Sequence, residues 1–182
     1  MTVEGTGEGH KLALALPPAK MDPLTAADTA ELELILKCGI GRNGAPAIVD
    51  VGPKWVVTHF ENAKSVLNLR PDFARLAEFE RRLGVTGLVA FGNHERGDAA
   101  IEVRAFAPSC GVEEDPVCGS GNGCAAVFQW ERGLLPPGGK DYVAAQGRCV
   151  GRDGRVEVNV DAHGNIRIGG ACVTCVDGLF TI

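Results

Sequence analysis

The run GCAAVFQWERGLL, residues 123–135, constrains this chain more than any other part of it. It has helical spacing, no fully polar face, and a stop written into the PPGG that follows. A helix that is apolar most of the way round belongs inside a protein. The remaining order comes mainly from short strand-like runs, alternating or β-branched, at 11–16, 47–51, 54–59, 86–91, 100–106, 142–145, 156–160, 166–168 and 171–176. Short strands and one buried helix predict an α+β domain in which a curved sheet or barrel wraps a central helix. Three further helices are expected, at 25–39, 61–69 and 72–83. The first has Thr25 as its cap and Gly39 at its end, and the last lies between Asp72 and Gly84. Residues 1–10, rich in Gly and Glu, are expected to be disordered, and 11–182 to form a single domain with no repeat and no internal linker.

With 182 residues, 45% of them hydrophobic, the chain is long enough for one well-buried core. A net charge of −5 and few aromatics argue against nucleic acid and against an anionic membrane surface as partners. No apolar run approaches the ~20 residues that span a bilayer. Seven cysteines at irregular spacings, and a start without a basic segment and a long apolar run, predict a cytoplasmic protein with reduced thiols.

The chemistry is concentrated just ahead of the apolar helix, in EEDPVCGSGNGCAAV, residues 113–127. Small residues in Gly119-Ser120-Gly121-Asn122-Gly123 let backbone N–H groups converge at a helix start, where the macrodipole also favours an anion such as a carboxylate. Gly119, Ser120, Gly121 and Asn122 are therefore candidate substrate-binding residues, and a tight turn that merely packs the helix is the alternative. Asp115, fixed before Pro116, can exchange a proton with a ligand held there, or form an Asx turn. Cys118 at the helix start can serve as a base or nucleophile if the same donors stabilise its thiolate. Glu113, Glu114 and Asp115 oppose that, and a buried cysteine is also a common core filler. Asp115 and Cys118 are the catalytic candidates. Metal is not expected: Cys172 and Cys175 fall on opposite faces of a strand-like run, and His10, His59, His94 and His163 form no ligand grouping.

The segment RAFAPSCGVEEDPVCGSGNGCAA, residues 104–126, resembles the signature of the phenazine-biosynthesis PhzF family, in which F-A-P, E-D-P and G-S followed by a central helix recur in that order. VDVGPKWVV (49–57), LNLRPDFARL (67–76), LGVTGLVAF (83–91), AAQGRCVGRDGRVEVNVD (144–161) and IGGACVTCVDG (168–178) are similar to further segments of that family's second half. The resemblance implies the diaminopimelate-epimerase-like fold, a barrel around a helix in each of two domains with the site between the helix starts. It also implies a cofactor-independent isomerase that moves a proton in a small carboxylate. On the E-D-P-x-x-G-S pattern Asp115, Gly119 and Ser120 carry over as site residues. Family members often have threonine where this chain has Cys118, whereas diaminopimelate epimerases and proline racemases have a catalytic cysteine in a similar setting. The family's first half, with its catalytic glutamate and Gly-His helix entrance, has no counterpart here, so 11–182 is expected to be a PhzF-like C-terminal domain.

The expected function is thus PhzF-like proton transfer on, or binding of, a small carboxylate, completed by a homodimer or a second chain. Two alternatives stand beside it: a non-catalytic binding or assembly module that keeps the fold, and an epimerase or racemase using Cys118 as base.

Overall fold

The apolar run is the axis of the molecule. In the computed structural model, which describes residues 2–5, 10–41, 45–137, 139–173, 175–176 and 178–179, it forms α4, Gly119–Arg132. Among the described residues eleven strands make one sheet: β1 (Thr2–Gly5), β2 (His10–Ala15), β3 (Lys20–Pro23), β4 (Ala47–Asp50), β5 (Lys54–Phe60), β6 (Gly87–Asn93), β7 (Ile101–Ala107), β8 (Val112–Asp115), β9 (Asp141–Gln146), β10 (Gly154–Val160) and β11 (Ile166–Cys172). Their order is β1-β2-β11-β10-β9-β7-β6-β5-β4-β3, with β8 attached to β7. The pairing is antiparallel except at β5/β6 and β7/β9. A parallel pair needs a crossover; α2 (Ala63–Leu67) and α3 (Phe73–Leu83) supply the first, and α4 lies on the second.

Residues 16–19 carry the chain from β2, second in that order, to β3 at its far end. Five Cα steps reach at most ~18 Å, so the two ends of the sheet must approach one another and the sheet must curl round the helix. Leu16, on this seam, presses on α4 where a β-carbon at Gly123 would lie 2.8 Å from Leu16 Cδ1. Glycine at 123 makes that approach possible.

The inner face of the sheet buries Val49, Val57, Val89, Phe91, Val103, Ala105 and Ile168 against Cys124, Ala125 and Phe128 of α4. The outer face buries Val56, Leu88, Ala90 and Phe106 under α1 (Ala26–Leu36), α2 and α3, through Leu32, Ile35, Val66, Leu76 and Phe79. Covered on both sides, β6 is buried from Gly87 to Gly92, which explains its unbroken apolar run. By contrast β10 has one covered face and alternates.

Several expectations shift. Thr2–Gly5 pairs with β2, so the described part of 1–10 is an edge strand rather than a disordered end; residues 1 and 6–9 lie outside the described residues. The backbone of β2 would otherwise present an open edge. Helix α1 has the expected cap, with the Thr25 hydroxyl accepting the Asp28 N–H at 3.1 Å, but ends at Lys37 in the left-handed region rather than at Gly39. The two strands expected at 166–168 and 171–176 are one, β11, running through Gly169-Gly170; residue 174 lies outside the described residues. Helix α4 starts four residues earlier than its apolar pattern, at Gly119, because a cap at Cys118 satisfies a first-turn N–H that the small residues alone cannot.

Candidate functional site

The amino end of α4 is built from three directions. Strand β8 delivers Asp115, and Arg104 of β7 anchors that strand. Its Nε donates to Glu114 Oε1 at 3.0 Å, its Nη2 to Oε2 at 2.7 Å, and its Nη1 to the Val66 and Leu69 carbonyls. Both side chains of the pair are buried. Glu114 is thereby neutralised by a two-pronged pair, and Glu113 points to solvent. Of the three carboxylates in the motif, Asp115 alone acts on the thiol that follows.

Asp115 is half-buried and forms the Asx turn that was one of its two expected roles, its Oδ1 accepting the Val117 N–H at 3.0 Å. Cys118 is the helix N-cap, with Sγ accepting the Gly121 N–H at 3.2 Å and lying 3.6 Å from Ser120 Oγ. Burial pushes the thiol above the ordinary cysteine range. Ser120 and the Gly121 N–H pull it down by less, and the Asp115 carboxylate adds to the rise. Cys118 therefore holds its proton near neutrality, contrary to the expectation of a stabilised thiolate.

With Gly121 N–H taken by Sγ and Asn122 N–H by the Cys118 carbonyl, the N–H groups of Gly119 and Ser120 are the helix-start donors that no described residue takes up. Gly119 is exposed and faces open space. Beside it, Ser120 Oγ accepts the Trp55 indole N–H at 3.1 Å and also lies within reach of Cys118 Sγ. Gly119 thus opens to solvent at the positive end of a fourteen-residue helix, and the Ser120 hydroxyl and the Asp115 carboxylate belong to half-buried residues flanking this opening.

Gly121 and Asn122 sit behind this opening rather than in it. Asn122 is 2% exposed; its Nδ2 donates to the Cys118 carbonyl at 2.8 Å and to Gln146 Oε1 at 2.7 Å, and its Oδ1 is buried with no partner among the described residues. Of the six candidate residues, Asp115, Gly119 and Ser120 line the opening, while Cys118, Gly121 and Asn122 frame it. Two residues of the frame, Trp55 and Gln146, have no warning in sequence except that each interrupts an apolar strand run with a hydrogen-bonding side chain. The other motifs stay apart from it. Cys172 and Cys175 donate separately to the Gly170 and Val173 carbonyls, and all seven cysteines are free. Among the described residues no group of three or more His, Cys, Asp or Glu is placed to hold a metal, and no helix is long and apolar enough to cross a membrane.

A sheet wrapped round a buried helix, with an anion-favouring opening at the helix start, defines an epimerase-type α+β fold. The chain belongs to the phenazine biosynthesis-like protein family, PhzC-PhzF, which it matches over residues 1–178. It is 34% identical over 190 residues to antisense-enhancing sequence 1 of Schizosaccharomyces pombe, an alignment covering 97% of this chain and 62% of that protein. It is 31% identical over 172 residues to an uncharacterized isomerase of the same yeast, covering 90% of this chain and 92% of that one. Among solved structures, a PhzF-family phenazine biosynthesis protein of Bacillus anthracis superposes with a TM-score of 0.73 at 15% identity, over 92% of this chain and 60% of that one. A protein titled a predicted epimerase of Pseudomonas aeruginosa gives 0.72 at 21%, over 96% and 62%. The chain therefore spans about six-tenths of the first relative and of both these structures, and nearly all of the second relative.

Proposed function

We propose that this protein is an isomerase of the PhzF type that moves a proton within a small carboxylate without a cofactor, at the opening between Asp115, Gly119 and Ser120. The observation that carries this reading is the pair of uncommitted N–H groups at Gly119 and Ser120, next to a serine hydroxyl that accepts one hydrogen bond, from Trp55. Those donors suit a carboxylate, and they strengthen as negative charge develops on it. The Asp115 carboxylate takes a proton from the carbon, the electron pair moves into the conjugated carboxylate held at the helix start, and the proton returns to the same or a conjugated carbon. No electrons leave the substrate, and its composition is unchanged. Cys118 enters as a protonated thiol that caps the helix.

The opening is one-sided, and the reading places a second copy of this chain, or another chain, across it to exclude water and supply the opposing proton group. The names of the relatives, isomerase and epimerase, agree with this chemistry.

The test is solvent deuterium wash-in, followed by NMR on the purified protein in heavy water, over a panel of small carboxylic acids with an acidic C–H bond. Exchange by the wild type, lost in Asp115→Ala and largely kept in Cys118→Ser, is the expected result. Saturable binding without exchange in any member of the panel would favour the non-catalytic binding module instead. Loss of exchange in Cys118→Ser with retention in Asp115→Ala would favour the cysteine-based epimerase.

A further inference from the structure

The geometry points to Gln146, at the end of β9, as the positioning residue of the α4 opening, an inference that rests on the proposed function for its catalytic meaning and on distances for its physical content. One buried side-chain amide joins three pieces of chain. Its Oε1 accepts the Cys118 backbone N–H at 3.1 Å and the Asn122 Nδ2–H at 2.7 Å. Its Nε2 donates to the Asp115 carbonyl at 2.7 Å. The amide thus spans the end of β8, the helix cap and the first helical turn, and at 1% exposure it has no water to substitute for any of these bonds. Its amide orientation follows from the partners, since the acceptor side faces two donors and the donor side faces a carbonyl.

The next residue reinforces the clamp. A β-carbon at Gly147, whose φ is +97°, would lie 2.6 Å from the Pro116 carbonyl oxygen, so the backbone following Gln146 lies directly against the Asp-Pro turn. Asp115 and Cys118 are therefore tied to β9 in addition to the Asp115 pairing with Ala105 of β7 and the bonds within their own loop. Gln146 touches neither the opening nor any group proposed to exchange a proton; it acts by fixing where Asp115 stands relative to the Gly119 and Ser120 donors, and by keeping Cys118 buried.

Cys118 reports that position without any substrate. In the intact protein, iodoacetamide alkylation of each cysteine is followed by peptide mass spectrometry as a function of pH. In Gln146→Leu the Asp115–Cys118 segment loses its anchor. Cys118 alkylation at neutral pH is expected to speed up on the order of tenfold, with its pH midpoint moving down towards that of an ordinary cysteine. Gln146→Glu loses the donor to the Asp115 carbonyl but keeps the acceptor that holds Cys118 and Asn122 and adds negative charge beside the thiol, so its midpoint stays at or above the wild-type value. It is also the variant to read if Gln146→Leu does not fold. Gln129→Leu, which removes a buried glutamine at the other end of α4, leaves the Cys118 profile unchanged.

A folded Gln146→Leu with the wild-type Cys118 profile would overturn the inference, as would a Gln146→Glu midpoint below the wild-type value or a Gln129→Leu effect as large as that of Gln146→Leu. Absence of deuterium exchange in the wild type would sink the isomerase reading while leaving these alkylation results to stand by themselves.

Discussion

The two ends of α4 use the same device to opposite effect. Strand β9 runs alongside the helix and turns Tyr142 and Gln146, four residues apart on one face, towards its two ends. At the carboxyl end the Tyr142 hydroxyl donates to Gln129 Oε1, Gln129 Nε2 donates to the Leu134 carbonyl at 3.5 Å, and Gly133 in the left-handed region returns its N–H to Trp130 and Gln129 carbonyls. At that end the Gln129 side chain is buried and the Gln129 and Trp130 carbonyls are taken up, while Glu131 is exposed and Trp130 and Arg132 are half-buried. At the amino end Gln146 secures Asp115, Cys118 and Asn122, yet Gly119 and Ser120 remain uncommitted beside open space. A buried amide that satisfies everything makes a stable helix end. One that satisfies the frame and leaves the first-turn donors free leaves them available to a ligand.

The comparison breaks if both ends respond alike to mutation. Gln129→Leu strands the Tyr142 hydroxyl and should lower stability by about 2–3 kcal/mol, measured by urea unfolding. In a double-mutant cycle Tyr142→Phe should then cost much less than it does alone, and neither change should alter carboxylate binding at the other end.

High pH sharpens the contrast. Burial holds the Cys118 and Cys124 thiols and the Tyr142 hydroxyl above their ordinary ranges. Such groups keep their protons in the folded state while the unfolded chain releases them. Stability is therefore full below about pH 8.5 and falls above it by at most about 1.4 kcal/mol per pH unit per group. The loss should begin with the cysteines and steepen near pH 10 as tyrosine joins. Cys118→Ser should flatten the first part, and Tyr142→Phe the second.

Smallest is Gly133→Ala, which places a β-carbon in a left-handed position with open space around it and should cost about 1 kcal/mol. Thermal unfolding should show the loss, with deuterium exchange untouched.

The contrast also marks what the sequence could reveal. The buried helix, the strand at β6, the caps at Thr25 and Asp72 and the family membership were legible, because periodicity, capping chemistry and an ordered set of motifs are local properties. Asp115, Gly119 and Ser120 could be singled out as candidates for the same reason. The frame was not. Gln146 meets Cys118 across 28 positions and Trp55 meets Ser120 across 65, and nothing local marks either pairing. The direction of the Cys118 shift was hidden too, since it depends on burial from elements distant in sequence, and its acidic neighbour Glu114 turned out to be committed to Arg104. The strand at Val112–Asp115 was missed because its polar residues are held by that same pair rather than by an apolar face.

The central claim, that the amino end of α4 is a carboxylate site and the carboxyl end is not, is tested most directly by following backbone amide shifts during a titration of the intact protein with succinate. The account predicts saturable shifts at Gly119 and Ser120, with Gly133 and Leu134 unmoved. Shifts that fail to saturate, or that spread equally to both ends of the helix, would contradict it.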